Sequence, residues 1–253
     1  AGTTYLITVQ AVMSQLEAAG HRVRDPGSQR TRLMLHVLPT LADKWLLPRF
    51  PAFAGAHPEI DVQFTAQLGD VVEPAEADLA FRYGLGAWPG FDASYLVGRE
   101  LRLVASPALL EREGPVCTPS DVLRFTLLQH FELPTAWHEF FTHHSVPRKT
   151  VPSTVRYGFF SVLIRGALTG MGLALVPDVL VSEELRSGAL VNPGGFGCVS
   201  RRGYYLLCPR HRSAEAAITS FREWVVAVAK EPGPTVLLPP VTGVDARRRR
   251  RPR

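Results

Sequence analysis

The sequence predicts an α/β protein built as two lobes, each a sheet flanked by helices, joined by two crossing strands and preceded by a separate helix. Three observations carry this. Short apolar runs alternate with stretches of helical period, first over residues 32–83 and again over 107–191. A long apolar run at Leu96–Ser106 and another at Gly203–Cys208 stand where chain would pass between two such sets. Residues 5–24 carry a helical stripe that belongs to neither set.

The elements follow in order. Leu6, Val9, Val12, Met13 and Leu16 recur at three- and four-residue steps, and Asp25-Pro26-Gly27-Ser28 ends that helix. Its stripe must be covered by something, and a second copy of itself is one candidate. Leu33–Leu38 reads as a buried strand, followed by Pro39-Thr40 and a helix to about Ala56, with Thr40 as N-cap and Asp43 as a weaker capping-box partner. His57-Pro58 breaks the chain before a strand at Ile60–Ala66, and Leu79–Tyr83 is a third strand stopped by Gly84 and Gly86.

The second set has helix signals at Pro107–Glu113 and Pro119–Leu123, the latter capped by Thr118, and a strand at Arg124–His130. An aromatic helix at Thr135–His144, a strand near Ser153–Tyr157 and a helix from Phe159 to Thr169 follow. Gly170-Met171-Gly172 turns into the strand Leu173–Val176, Pro177 starts a short helix to Leu185, and Ala189–Val191 is a further strand. An amphipathic helix at Ser213–Lys230 closes the fold, and the chain then becomes Pro-rich and arginine-rich, a composition expected to be disordered. The implied division is a linker helix at 1–28, lobe I at 32–104 plus 209–230, lobe II at 105–208 and a tail at 231–253.

Charge first suggests nucleic acid, with a net +5. Residues 247–253 hold six arginines beside Asp245, however, and removing these from 28 basic and 23 acidic residues leaves 22 against 22. The body is neutral and shows no basic face for DNA. Cys117, Cys198 and Cys208 are too few and scattered for a disulfide framework or a zinc site, and each sits in apolar company, so buried reduced thiols in a cytosolic protein are expected. There is no run of 18 apolar residues and no charged-then-apolar leader, so neither membrane insertion nor secretion is expected.

At this point the residues resemble a family. Leu38–Val62 (LPTLADKWLLPRFPAFAGAHPEIDV) is similar to the opening of the effector-binding domain of LysR-type transcription regulators. The stretch Asp78–Phe91, with RYGLGAWPG, resembles the subgroup that includes the glycine-cleavage activator. Leu103–Leu110, Thr126–His130 with Trp137 downstream, and Gly166–Val181 add to it, so the resemblance runs over roughly residues 1–230. It implies a type 2 periplasmic-binding-protein-like fold of two mixed sheets. It also implies a linker helix that pairs two copies, a homodimer or tetramer, and a winged helix-turn-helix that would stand before Ala1 and make the contacts with promoter DNA. Many members of the subgroup carry acidic residues where this chain has Gly158-Phe159, which argues against a polar or cationic amino-acid effector.

Ligands of open α/β sheets bind beyond the carboxyl ends of the strands, so the turns there supply the expected effector contacts. Pro39, Thr40 and Leu41 open a helix whose free N–H groups favour an anion, although Thr40 could equally be a plain cap. Arg82, Tyr83 and Gly84 end a strand. Alternation turns only one of Arg82 and Tyr83 toward the ligand, and the arginine could fork a carboxylate or pair with Asp78. Gln129 and His130 end another strand, where His130 is either a pocket residue or a satisfied histidine under a loop. Phe159 and Phe160, with Tyr157, form either an aromatic wall or core. Trp88 reads as packing. His138, His143 and His144 lack the i, i+4 spacing of a metal pair, so no metal or cofactor is expected. No nucleophile elbow, phosphate loop or paired-carboxylate site is present to assign catalysis. The expected role is sensing of a small anionic or aromatic effector. A solute-binding receptor for transport, on the same architecture, is the alternative.

Overall fold

The computed structural model describes residues 30–66, 77–131, 133–147 and 154–231. The helix expected over residues 5–24, with Leu6, Val9, Val12, Met13 and Leu16, lies outside the described residues, as does the tail beyond Glu231. The chain divides into two compact units. The first holds Gly86–Leu96, Tyr204–Lys230 and the described residues up to Arg82; the second holds Tyr83–Leu85 and Val97–Gly203.

The first unit is built on a five-stranded sheet in the order β2-β1-β3-β10-β4. Strand β1 (Thr31–His36) pairs in parallel with β2 (Ile60–Thr65) and with β3 (Leu79–Gly84), while β10 (Gly203–Pro209) runs antiparallel to β4 (Phe91–Tyr95). Every residue of β3 is buried, as a continuous apolar run at the centre of a sheet should be. Helix α1 (Pro39–Leu41) follows β1, helix α2 (Phe50–Ala56) precedes β2, and α7 (Ala216–Lys230) ends the unit. Ile218, Phe221 and Val225 form the buried stripe of α7. Phe221 meets Phe53 edge-on at 5.1 Å and Phe81 at 6.3 Å, which seats the helix on the sheet.

The second unit holds a sheet in the order β7-β6-β8-β5-β9. Strand β6 (Leu127–His130) is parallel to β7 (Thr154–Tyr157) and β8 (Leu173–Pro177); β5 (Glu100–Val104) is antiparallel to β8 and to β9 (Gly197–Val199). Its helices are α3 (Pro107–Glu113), α4 (Ala136–His143), α5 (Phe160–Leu168) and α6 (Ser182–Ser187). Both sheets are thus mixed, each joining a parallel trio to antiparallel strands.

Several elements differ from the sequence reading. Thr40 is not the N-cap: Leu38 is, with Pro39 at the first helical position, where its missing N–H costs nothing. The helix to Ala56 is also not continuous. A π-helical turn spans Ala42–Leu46, Leu47 N–H reaches back to Ala42 O at 2.9 Å, and only tight turns connect to α2. Pro48 and Pro51 each lack the amide that an unbroken α-helix needs. Of the single long strand expected at Leu96–Ser106 only Glu100–Val104 is strand (β5); β4 of the other sheet ends before it at Tyr95, and Gly98 (φ +88°), in the left-handed conformation, lies between the two. Pro177 ends a strand rather than starting a helix, and Ala189–Val191 contributes only an isolated bridge from Val191 to Ala105. Cys117 is exposed, because it lies in the loop before a 3-10 turn; Cys198 and Cys208 are buried.

Candidate functional site

In the first unit, parallel pairing brings the carboxyl ends of β1 and β3 to one edge of the sheet. The Pro39-Thr40-Leu41 opening and the Arg82–Gly84 strand end therefore share an edge, on neighbouring strands. Pro39 is exposed and Thr40 half-buried. Leu41 is wholly buried, so a ligand could use only its backbone, and the first amides of a helix have no partner within it. Arg82 is buried, and Asp78, its alternative partner, is occupied otherwise. Asp78 accepts the Met34 N–H and the Arg212 guanidinium, and Arg212 also forks Glu215 at 2.6 and 2.7 Å. These two carboxylates hold the Arg212 pKa above its ordinary value. Sequence reasoning passed over His36, which ends β1, is buried, and has an Nδ1 with no hydrogen-bond partner among the described residues. A polar residue interrupting an apolar strand is the signal that could have found it.

In the second unit three of the expected residues come together. The His130 imidazole stacks on Phe160 with centroids 4.0 Å apart, and Tyr83 meets Phe160 edge-on at 5.8 Å. All three are buried. Burial lowers the His130 pKa from 6.5 to about 4, against the opposing effect of its hydrogen bond to the Gly158 backbone, so the ring is neutral at physiological pH. The register of β6 and β7 explains the meeting, since His130 pairs with Tyr157 and places the two strand ends side by side.

Gln129 does not join this cluster: its amide donates to Pro134 O at 2.8 Å and fastens the loop after β6. Phe159 and Phe160 divide the two roles left open for them. Phe160 is packed, and Phe159, at the N-cap of α5, is 55% exposed. Two further exposed apolar residues were not anticipated. Phe131, 60% exposed, continues the β6 ladder through its N–H to Tyr157 O at 2.9 Å, and Leu85 follows β3 with 60% exposure. A large apolar residue placed immediately after a strand end is the signal they carried.

The remaining candidates are structural. Trp88 packs edge-on against Tyr205 at 5.5 Å, and the Trp137 indole donates to Leu128 O at 3.0 Å. His144 Nε2 bonds Gly197 O at 2.8 Å, with the His143 ring edge-on beside it. Among the described residues no cluster of three His, Cys, Asp or Glu side chains could hold a metal, and no helix is long and apolar enough to cross a membrane.

Two mixed sheets of this order define the type 2 periplasmic-binding-protein-like class, the fold of LysR effector-binding domains. The effector domain of the transcriptional regulator AmpR of Pseudomonas aeruginosa matches with a TM-score of 0.71 at 27% identity, covering 79% of this chain and 96% of that one. The AmpR effector binding domain from Citrobacter freundii matches at 0.70 and 25%, covering 79% and 98%. The profile of the LysR substrate binding domain family matches residues 26–230, and the chain belongs to that family. The glycine cleavage system transcriptional activator of Escherichia coli K12 is 31% identical over 234 residues, which span 90% of this chain and 74% of that protein. The transcriptional activator AmpR of Rhodobacter capsulatus is 32% identical over 200 residues, 79% of this chain and 67% of that protein. The chain is therefore the effector-binding part of a LysR-type transcription regulator, and the transport-receptor alternative gives way to it.

Proposed function

We propose that this chain senses a small anionic or aromatic effector through the strand ends just described, and that its role is regulation rather than catalysis. The observation that carries the reading is the buried, uncharged His130–Phe160–Tyr83 cluster, whose chain neighbours Phe131 and Phe159, just past the carboxyl ends of β6 and β7, are exposed. Pro39, Thr40, Leu41, Arg82, Tyr83, Gly84, Gln129, His130, Phe159 and Phe160 are the proposed effector residues, with Leu41 acting through its backbone and Gln129 by holding the loop. Ligand energy that differs between two arrangements of the domain is what such a sensor converts into altered DNA binding.

The two lobes expected from the sequence correspond, in this proposal, to the two units. The divisions then fall after Leu96 and Gly203 rather than after 104 and 208, because β5 pairs with β8 and β9 and β10 pairs with β4. Residues 1–28 are proposed as the helix that joins two copies into a dimer or tetramer, and 231–253 as an uninvolved tail. Promoter contact is assigned to a helix-turn-helix of the regulator, which places the protein in the cytoplasm with its DNA. No cofactor enters the proposal.

The test is a thermal-shift screen of metabolites against the full chain. A ligand that binds only the folded form at about 100 times its Kd adds about 2.7 kcal/mol. Thr40→Val is expected to weaken the hit at least tenfold while the unliganded melting temperature holds. A hit whose affinity is indifferent to Thr40, Arg82 and His130 replacements would move the site elsewhere.

A further inference from the structure

We infer that the second unit takes an aryl group of the effector, seated at Gly158 and flanked by Phe131 and Phe159. The inference rests on the effector-sensing reading and names the chemistry of its ligand.

The three turns that end β3, β6 and β7 carry Leu85, Phe131 and Phe159, all more than half exposed and all within one unit. Large apolar side chains in water are common singly, but Phe131 and Phe159 both border Gly158 at strand ends, where ligands bind in this fold, and together offer a surface that a ligand would cover. Gly158 leaves room for it. Among the described residues a Cβ there would touch only Phe131 Cδ2, at 3.9 Å, which leaves the place beside that ring open. The His130 ring bonds the Gly158 backbone and stacks on Phe160, which ties this turn to a buried aromatic pair.

The side chains of these turns offer little to a charged occupant. Of the turn residues 84–86, 130–131 and 157–160, only His130 could carry charge near neutrality, and burial among aromatic rings keeps it neutral. A zwitterionic amino acid would lose water here and gain no charged partner from these residues. An aryl ring gains apolar burial and edge or face contacts with two phenylalanines.

The experiment titrates the full chain with anilinonaphthalene sulfonate and displaces it with phenylacetate, in the parent and in Phe131→Ser, Phe159→Ser and Val199→Ser. All three side chains are exposed, so folding is preserved. Val199, on the edge strand β9, is the control. One saturable site is expected, with affinity about tenfold weaker in each phenylalanine variant, as loss of a buried ring implies, and unchanged in Val199→Ser. Binding that is indifferent to Phe131→Ser and Phe159→Ser, or equally damaged by Val199→Ser, overturns the assignment. Saturable calorimetric binding of glycine or glutamate that survives both phenylalanine variants but fails in Thr40→Val also overturns it, while leaving effector sensing intact. Failure of the metabolite screen with retained aryl binding at Phe131 and Phe159 would count instead against the sensing reading.

Discussion

The imidazole of His130 lies nearly flat on the ring of Phe160, with centroids 4.0 Å apart and planes 13° from parallel. Such a stack favours the neutral ring, and burial holds its pKa near 4 against 6.5 in an unfolded chain. The unfolded chain therefore binds more protons than the folded one between those values, and stability falls as pH drops from 6.5 to 4. The His130 contribution is up to about 3 kcal/mol. Urea unfolding from pH 4 to 7 checks it: His130→Gln is expected to flatten this limb, and an unchanged slope would remove His130 as its cause.

Asp178 acts in the opposite sense. Burial first, and the Glu100 carboxylate second, raise its pKa from 3.8 to about 6. The folded chain then holds the extra proton between these values, so this group costs stability as pH rises from 3.8 to 6 and fully above that. Asp178→Asn keeps an acceptor for the Val179 N–H, which Asp178 Oδ1 now receives at 2.8 Å. A gain of about 1–2 kcal/mol is expected at pH 8, discounted for partial exposure, and none at pH 4. Equal gains at both would show a packing effect instead.

Two glycines should respond oppositely to alanine. A Cβ on Gly172 would lie 2.2 Å from Thr126 O, the acceptor of the Leu173 N–H, so the β6–β8 approach must open. A loss of about 2–4 kcal/mol is expected. Gly55 in α2 has nothing within 4 Å of its Cβ position, and alanine there is expected to add about 0.5 kcal/mol. Paired denaturation curves decide both.

Arg212 links α7 to the sheet through Asp78, whose other oxygen holds the Met34 amide. Arg212→Ala strands a largely buried carboxylate, with an expected cost of about 2 kcal/mol. Arg212→Lys restores charge without the fork and is expected to recover about half of it. Equal losses in the two variants would assign the effect to the guanidinium's packing.

Thiol labelling distinguishes the three cysteines. Cys117 is exposed, while Cys198 is buried with its pKa pushed up to about 12 and Cys208 is buried and also raised. Iodoacetamide is expected to modify one thiol per native chain and three after unfolding.

Much of the fold was legible because period and breakers agree. The strand Leu79–Tyr83 is a short, mostly apolar run ended by glycine, and α7 carries its stripe openly. Strands β4 and β9 were missed because short, half-exposed edge strands have neither a long run nor clean alternation. The Leu96–Ser106 run misled because Leu96 and Val97 look like the start of the strand that begins only at Glu100, while the turn at Gly98 is a matter of backbone angle. Within the site, motif position identified the turn carrying His130 and the Phe159-Phe160 pair. It did not say which phenylalanine would pack and which would face water, since that depends on the N-cap at Phe159. Phe131 and His36 carried a signal in their positions at strand ends, but burial and exposure, which period alone does not give, set them apart.

The place of β10 between β3 and β4 has a consequence for synthesis. The first sheet lacks an inner strand until Gly203–Pro209 leave the ribosome, and its covering helix follows later still. The strands of the second sheet, by contrast, all lie between Glu100 and Val199. The half of the protein made first must therefore wait for its last-made residues, while the middle of the chain can collapse on its own.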